Sequence, residues 1–154
     1  MSRAEVLEAL RARFPDMAAR PVDTASSVVV DGMRLREHLL HLRDTLGFDF
    51  LTFMTAIDRP TESRLELVYR LFSYTSRVSL MVRVLLPREA ARVDTVSDLY
   101  RTAEWHEREA AEMFGIAFTD HPDPRKLLLP DDLEGHPLLK DFTHPNMLRL
   151  PEVR

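Results

Sequence analysis

The histidine and acidic side chains that could do chemistry are concentrated in the last third of the sequence. His106 and Glu107 are adjacent, as in the zinc-binding pattern H-E-x-x-H, but Ala110 occupies the place of the second histidine. Further on, three histidines are each followed by proline, at positions 121, 136 and 144. A His-Pro pair is typical of a turn, and the spacing matches no standard ligand set. The pattern favours turns, with a metal-dependent hydrolase using these histidines and nearby aspartates as an alternative.

Several other kinds of site are excluded by composition. The 154 residues include no cysteine, which excludes disulfides, thiol nucleophiles and thiolate-bound iron–sulfur clusters in this chain. The four glycines, at 32, 47, 115 and 135, are too scattered for a phosphate loop or a dinucleotide fingerprint. A formal net charge of -4 without a basic stripe argues against nucleic-acid binding. We interpret the sequence as a binding module without an active site of its own.

A helix predicted from Thr102 to Phe114 carries a carboxylate on its small apolar side. Glu107 falls on the same side as the alanines and the phenylalanine. An inward carboxylate needs a cationic partner, and the nearest candidates are Arg125 and Lys126, beyond the turn at Gly115. We expect a salt bridge that pins the following segment to the helix. General acid–base catalysis by paired carboxylates is the alternative.

The other side of this helix is charged but includes a tryptophan. Trp105 lies there among Arg108, Glu109 and Glu112, which is better explained if a further surface covers that side. Because only Glu107 is predicted to face the apolar stripe, we expect its replacement by glutamine to weaken assembly more than the same change at Glu112.

The elements before this helix predict an α+β fold. Helices are expected at Ala4 to Phe14 and Leu35 to Leu46, and a strand at Ser27 to Val30. Three strands linked by short turns follow and form an antiparallel meander. The first of them is apolar on both faces, which suggests that it is an inner strand of the sheet. The runs are Phe48 to Ile57, Leu65 to Phe72 and Val78 to Leu85. One-sided apolar alternation requires helices packed on one face of the sheet.

Beyond Gly115 the sequence changes character. Six of the ten prolines lie between Asp120 and Pro151, and neither strand nor helix periodicity persists. The segment is nevertheless too apolar for a solvated tail. We therefore divide the chain into an α+β domain, residues 1–115, and an extended Pro-rich C-terminal segment, residues 116–154. The segment lies either on its own domain or on a partner.

One uninterrupted block of about a quarter of the chain resembles a known family. It comprises E-R-E-A-A-E-M-F-G-I from Glu107, H-P-D-P-R from His121, L-L-L-P-D-D-L-E-G-H-P-L from Leu127, and K-D-F from Lys140. This block resembles the signature of the 30-kDa subunit of respiratory complex I, known in bacteria as the C subunit of NADH-quinone oxidoreductases. Asp120, Pro124 and Leu139 depart from its common residues.

The resemblance implies a non-catalytic structural subunit in the peripheral arm of a proton-translocating NADH:quinone oxidoreductase. It implies partners in the 49-kDa-type subunit (the D subunit in bacteria) and in cluster-bearing subunits, which carry the iron–sulfur clusters, FMN and quinone, while this chain has no cofactor. It implies a peripheral place on the cytoplasmic side of the inner membrane, with no membrane span. The residues it assigns to the tail turn and partner interface are Glu107, Arg108, Glu109, His121, Pro122, Arg125, Gly135, Pro137, Lys140, Asp141 and Phe142.

Two further alternatives remain from the sequence. The resemblance also fits the equivalent subunit of a membrane-bound nickel–iron hydrogenase or ferredoxin:quinone complex, and the residues do not distinguish these complexes from an NADH-driven enzyme. A generic α+β adaptor without a redox connection is the other.

Overall fold

A computed structural model describes residues 1–15, 18–19 and 26–148 of the chain. Three α-helices are present in this part of the chain: α1 (Arg3–Arg13), α2 (Leu35–Asp44) and α3 (Ala103–Phe114). The strands described are β1 (Ala18–Ala19), β2 (Ser26–Val30), β3 (Phe50–Arg59), β4 (Arg64–Ser73), β5 (Val78–Pro87), β6 (Arg92–Asp94) and β7 (Ala117–Thr119). The predicted α+β class is confirmed.

The main sheet has the strand order β1-β2-β5-β4-β3. The predicted antiparallel meander of β3, β4 and β5 is present, and β2 joins it by a parallel pairing with β5 that makes the sheet mixed. The prediction that the first run of the meander is an inner strand is wrong, because β3 lies at the edge. Helix α3 packs along β3, so apolar side chains at this edge are covered by a helix instead of a strand.

The hydrophobic core lies between one face of the sheet and the three helices. Tyr69, Leu71 and Leu80 point from the strands into this layer, where they meet Leu10 of α1 and Leu39 of α2. Each fully buried leucine contributes about 1.5–3 kcal/mol relative to exposure. The alternation in β4 and β5 therefore determines which face is covered, and the helices lie on one face as predicted.

A second, two-stranded sheet holds α3 in place. Strands β6 and β7 flank this helix in sequence and pair in parallel, with Val93 opposite Phe118. Ile116, between α3 and β7, is buried in the core. Strand β7 is absent from the sequence prediction, because a run of only three residues shows no alternation. Thr102 is the N-cap residue of α3, but its hydroxyl donates to the carbonyl of Leu51 and makes no capping hydrogen bond to the helix.

Two buried tyrosines provide a test of the core. In the described part of the chain no hydrogen-bond partner reaches Tyr69 Oη, whereas Tyr100 Oη donates to the Phe48 carbonyl at 2.8 Å. We expect Tyr69→Phe to maintain or raise the free energy of unfolding and Tyr100→Phe to lower it by about 1 kcal/mol. Urea denaturation of the two variants measures both effects, and an equal loss in the two would contradict this account.

Candidate functional site

The end of α3 redirects the chain back over the helix. Gly115 has φ = 76°, and its N–H donates to the Ala111 carbonyl at 2.9 Å. A Cβ at this position would lie 2.7 Å from the His136 ring. Glycine is therefore required both for the left-handed turn and for the close approach of the returning segment. We call residues 120–148, which return over α3, the tail.

The predicted partner of Glu107 is wrong. This carboxylate is fully buried; it accepts hydrogen bonds from the Thr95 hydroxyl and, at 2.8 Å, from the Val96 N–H. Neither Arg125 nor Lys126 reaches it. Arg125 binds Asp123, and the Lys126 ammonium donates to main-chain carbonyls of the tail. Main-chain and hydroxyl donors thus replace the expected salt bridge.

Burial raises the pKa of Glu107, and the two hydrogen bonds only partly oppose this effect. The nearest side chain of the tail is His121, whose Nε2 lies 3.6 Å from the carboxylate. His121 Nδ1 accepts from the Asp123 N–H, so Nε2 carries the proton that it donates to the Glu104 carbonyl, each at 3.0 Å. The His-Pro turn is therefore fastened to the first turn of α3.

Glu112 forms the main link between α3 and the tail. The sequence places it on the charged side of the helix, and the tail covers that side and buries this residue. Its two carboxylate oxygens accept the N–H groups of Leu127, Leu128 and Leu129 at 3.0, 2.8 and 3.3 Å. Hydrogen bonds to a charged group contribute about 1.5–3 kcal/mol each, which offsets the cost of burying the carboxylate.

Arg108 binds the tail next to this link. Its Nε and Nη2 donate to the carbonyls of Arg125 and Lys126 at 2.9 and 3.0 Å. Its guanidinium also lies 5.4 Å from the ring centroid of Trp105, within the range of a cation–π contact. Trp105 is 58% exposed, so the surface expected to cover it is not supplied by the described residues.

A second anchor lies further along the tail, at the end of β3. The buried carboxylate of Asp58 accepts the Lys140 N–H at 2.8 Å. Arg88 donates to Asp58 at 2.7 and 2.9 Å and to Asp141 at 2.7 and 3.1 Å. The guanidinium and the amide hold the pKa of Asp58 below its usual range. The tail between the anchors is compact, since a Cβ on Gly135 (φ = 87°) would lie 3.0 Å from Phe142.

The residues that the family resemblance singled out fall into two groups in space. Arg108, His121, Arg125, Gly135, Lys140, Asp141 and Phe142 fasten the tail or lie in its fastened part, whereas Glu107 is hydrogen-bonded within the domain. Glu109 and Pro122 are exposed and Pro137 is half-buried. Their assignment to a partner interface stays a prediction. Glu112, Asp58 and Arg88 are absent from the predicted set. For Glu112 the signals in the sequence are its place in the family block and the nearby Trp105 among charges, which indicates that this side of the helix is covered.

The fastened tail presents apolar side chains outward. Leu128 is 62% exposed, Leu138 is 51% exposed and Leu148 is 94% exposed, while the main chain beside the first two is hydrogen-bonded to the domain. The segment is therefore held by polar groups and by the partly buried Leu139, and these three leucines remain available for contact.

A polar cleft of about 610 Å³ opens beside the buried Glu107. Arg36 and Asp98 pair across it at 2.7 Å, and Thr95 links its wall to Glu107. Within the described ranges, no three His, Asp or Glu side chains converge as metal ligands would. His121, His136 and His144 are separated, each bonded to nearby main chain.

Hydrogen exchange tests the role of Glu112. Glu112→Gln keeps the shape but replaces one acceptor oxygen with a donor that faces the tail amides. We expect the amides of residues 127–129 to exchange at least about 10-fold faster, which corresponds to about 1.4 kcal/mol. The control is Glu109→Gln on the exposed side of α3. Unchanged protection in the Glu112 variant would contradict the proposed anchor.

Glu107 has a distinct pH signature. Because the folded-state pKa is raised, its stabilising contribution is complete below the reference value of 4.5 and is lost as pH rises through the folded value. Glu107→Gln is expected to remove this loss, so that the free energy of unfolding declines less as pH rises above 4.5. Urea titrations at a series of pH values above 4.5 measure it, with Glu109→Gln as control. Identical pH profiles for wild type and the Glu107 variant would refute the assignment.

In the described part of the chain, no helix has the length and hydrophobicity of a membrane span.

Comparison with known proteins agrees with the sequence block and the fold. The chain is 37% identical over 136 residues to the C subunit of the NADH-quinone oxidoreductase of Moorella thermoacetica, covering 88% of this chain and 92% of that protein. It is 34% identical over 146 residues to the C subunit of the F(420)H(2) dehydrogenase of Methanosarcina mazei, covering 92% of each.

The fold is also similar to a chain in the structure of an archaeal membrane-bound sulfane sulfur reductase, a respiratory membrane complex. The TM-score is 0.79 at 28% identity, over 91% of this chain and 85% of that one. The family described as "Respiratory-chain NADH dehydrogenase, 30 Kd subunit" matches residues 28–147, which include the main sheet from β3 onward, α3 and nearly all of the tail. The chain belongs to this 30-kDa subunit family of respiratory-chain NADH dehydrogenases.

Proposed function

We propose that this chain is a non-catalytic structural subunit in the peripheral arm of a proton-translocating NADH:quinone oxidoreductase. In this proposal α3 and the tail dock on the 49-kDa-type subunit that holds the quinone site. The observation that carries it is the combination of a polar fastening with outward apolar side chains on the same segment. Exposed apolar residues on an ordered segment are typical of protein interfaces.

Trp105 adds to this docking surface. Its ring is held against Arg108, and Arg108 is itself fixed by two tail carbonyls. A tryptophan with restricted motion loses little conformational entropy on binding, and tryptophan and arginine are enriched among the residues that dominate binding energies. Trp105, Leu128 and Leu138 therefore form the part of the surface from which we expect most of the affinity.

The proposal assigns all redox groups to partner subunits. The chain has no cysteine to hold an iron–sulfur cluster. In this proposal the clusters, FMN and quinone belong to neighbouring subunits, and this chain contributes no catalytic residue. Its place would be peripheral, on the cytoplasmic side of the inner membrane, bound through other proteins.

A second candidate differs in the electron donor or acceptor of the complex. Similarity to one subunit of an F(420)H(2) dehydrogenase and to a chain in a sulfane sulfur reductase supports the same scaffold role with another donor or acceptor. Hydrogenase and ferredoxin:quinone complexes are included in this candidate. Mass spectrometry of the assembly purified through this chain discriminates, because these enzymes differ in the subunit through which electrons enter.

The docking surface is tested by placing a charge on it. In the double variant Leu128→Asp with Leu138→Asp, binding would bury unpaired carboxylates at a cost of several kcal/mol. We expect recovery of the 49-kDa-type subunit with the tagged chain to decrease by at least about 100-fold. The matched control is Leu40→Asp, at a 43% exposed leucine on α2. Normal recovery with the double variant would refute docking through the tail.

A further inference from the structure

The two faces of the main sheet have different surroundings. One is covered by the helices. The other, which we call the open face, bears Arg64, Glu66, Val68, Arg70 and Phe72 of β4 together with their neighbours on β3 and β5. No helix or strand of the described ranges packs over it. Helix α3 and the tail lie at the β3 edge, where Thr55 of this face and Leu138 line one small pocket, so the open face borders the docking surface proposed above but shares none of its residues.

The open face is basic although the chain as a whole is acidic. Four arginines at positions 59, 64, 70 and 83 share it with Glu66, and Glu62 of the adjoining hairpin pairs with Arg64. Four arginines against two glutamates give a net charge of +2, whereas the whole chain carries -4. No lysine is present among these side chains. The face is therefore complementary in charge to an acidic surface.

Glu66 holds two of these arginines in fixed positions. Burial alone would raise the pKa of Glu66, but Arg83 and Arg59 outweigh this effect and lower it. Arg59 Nη2 lies 3.2 Å from the carboxylate, and Arg83 contacts the other oxygen. A guanidinium has five N–H donors, so both arginines retain donors that Glu66 does not occupy; the Arg59 side chain is 37% exposed and that of Arg83 is 17% exposed. Fixed guanidinium groups of this kind suit two-point recognition of carboxylates.

Arg70 differs from the other arginines of this face in its lack of a carboxylate partner among the described residues. It lies between Phe53 of β3 and Met81 of β5 in the sheet register. Among the described residues, no carboxylate lies within 4.0 Å of its guanidinium. A half-buried arginine flanked by apolar neighbours gains its best partner when another surface brings a carboxylate to it.

Aromatic side chains lie at one end of the same face. The Tyr74 ring is 5.6 Å from Phe50 and 5.1 Å from Phe72, and both Tyr74 and Phe50 are exposed. Arginine and aromatic residues are enriched at protein–protein interfaces, while lysine is depleted. This composition favours a protein partner over an anionic lipid surface or a nucleic acid.

We propose that the open face is a second docking surface, which binds an acidic surface of another subunit in the same assembly. A second copy of this chain in a two-fold arrangement is disfavoured, because it would bring like-charged arginines together. The inference rests on the proposed function only in that the partner is a fellow subunit. It places this chain between two neighbours, one on the docking surface and one on the open face.

Charge reversal at Arg70 tests the inference in the intact assembly. We expect Arg70→Glu to reduce recovery of the chain in the complex by at least about 10-fold. Arg11→Glu, the same charge change at an exposed arginine of α1, is expected to stay within about twofold of wild type. Circular dichroism of each isolated chain verifies folding, and Arg70→Gln is the substitute if the reversal unfolds it. Equal recovery of the Arg70 and Arg11 variants would overturn the inference.

Photo-crosslinking identifies the occupant. A photo-reactive phenylalanine analogue in place of Phe72 is irradiated in the purified assembly. We expect a crosslink to a peptide of another subunit in which Asp and Glu outnumber Lys and Arg. A crosslink to lipid, to nucleic acid, to a second copy or to a basic peptide overturns the inference, as does none at all. If the chain assembles through the tail but the open face stays uncrosslinked, only this inference fails. A chain absent from every assembly refutes both proposals.

Discussion

The arrangement of the tail depends on one constraint: a carboxylate removed from water must recover its hydrogen bonds from groups fixed around it. Glu112 satisfies this constraint with main-chain N–H groups of the tail, Asp58 with one such group together with Arg88, and Glu107 within the domain. The burial of Glu112 and Asp58 therefore requires the tail to follow one path. Since leaving either carboxylate unsatisfied costs several kcal/mol, a segment without helix or strand still adopts a defined course.

This manner of attachment separates two roles that the same residues usually combine. Apolar side chains generally fix a segment to its own domain and are then lost to other contacts. Here main-chain groups fix much of the tail, so Leu128 and Leu138 are both ordered and exposed. Side chains have a similar effect on the sheet, because Glu66 orders two arginines and occupies only some of their N–H donors. Both surfaces are organised before any partner arrives, which reduces the entropy lost on association.

Much of the fold could be predicted from the sequence because its signals are local. The leucine spacing of α2 and the alternation in β4 and β5 depend on residues a few positions apart, and these elements lie where the patterns predict. The edge position of β3 could not be predicted, because it depends on α3 packing beside that strand. The burial of Glu107 is predictable, but its partners are not, since main-chain donors such as the Val96 N–H leave no mark in a sequence. The role of Glu112 is not predictable either, because a helical wheel does not include the tail.

The direction of the tail contacts has a consequence for synthesis of the chain. Glu112, Arg108, Asp58 and Arg88 all precede the tail residues that they bind. A ribosome therefore delivers the receiving groups first, and α3 can be set between β6 and β7 before residues 127–141 emerge. The apolar tail residues therefore meet a folded binding surface when they leave the ribosomal exit tunnel. The interval in which unanchored leucines could attract wrong neighbours is thereby short, which favours nascent subunits that reach their assembly intact.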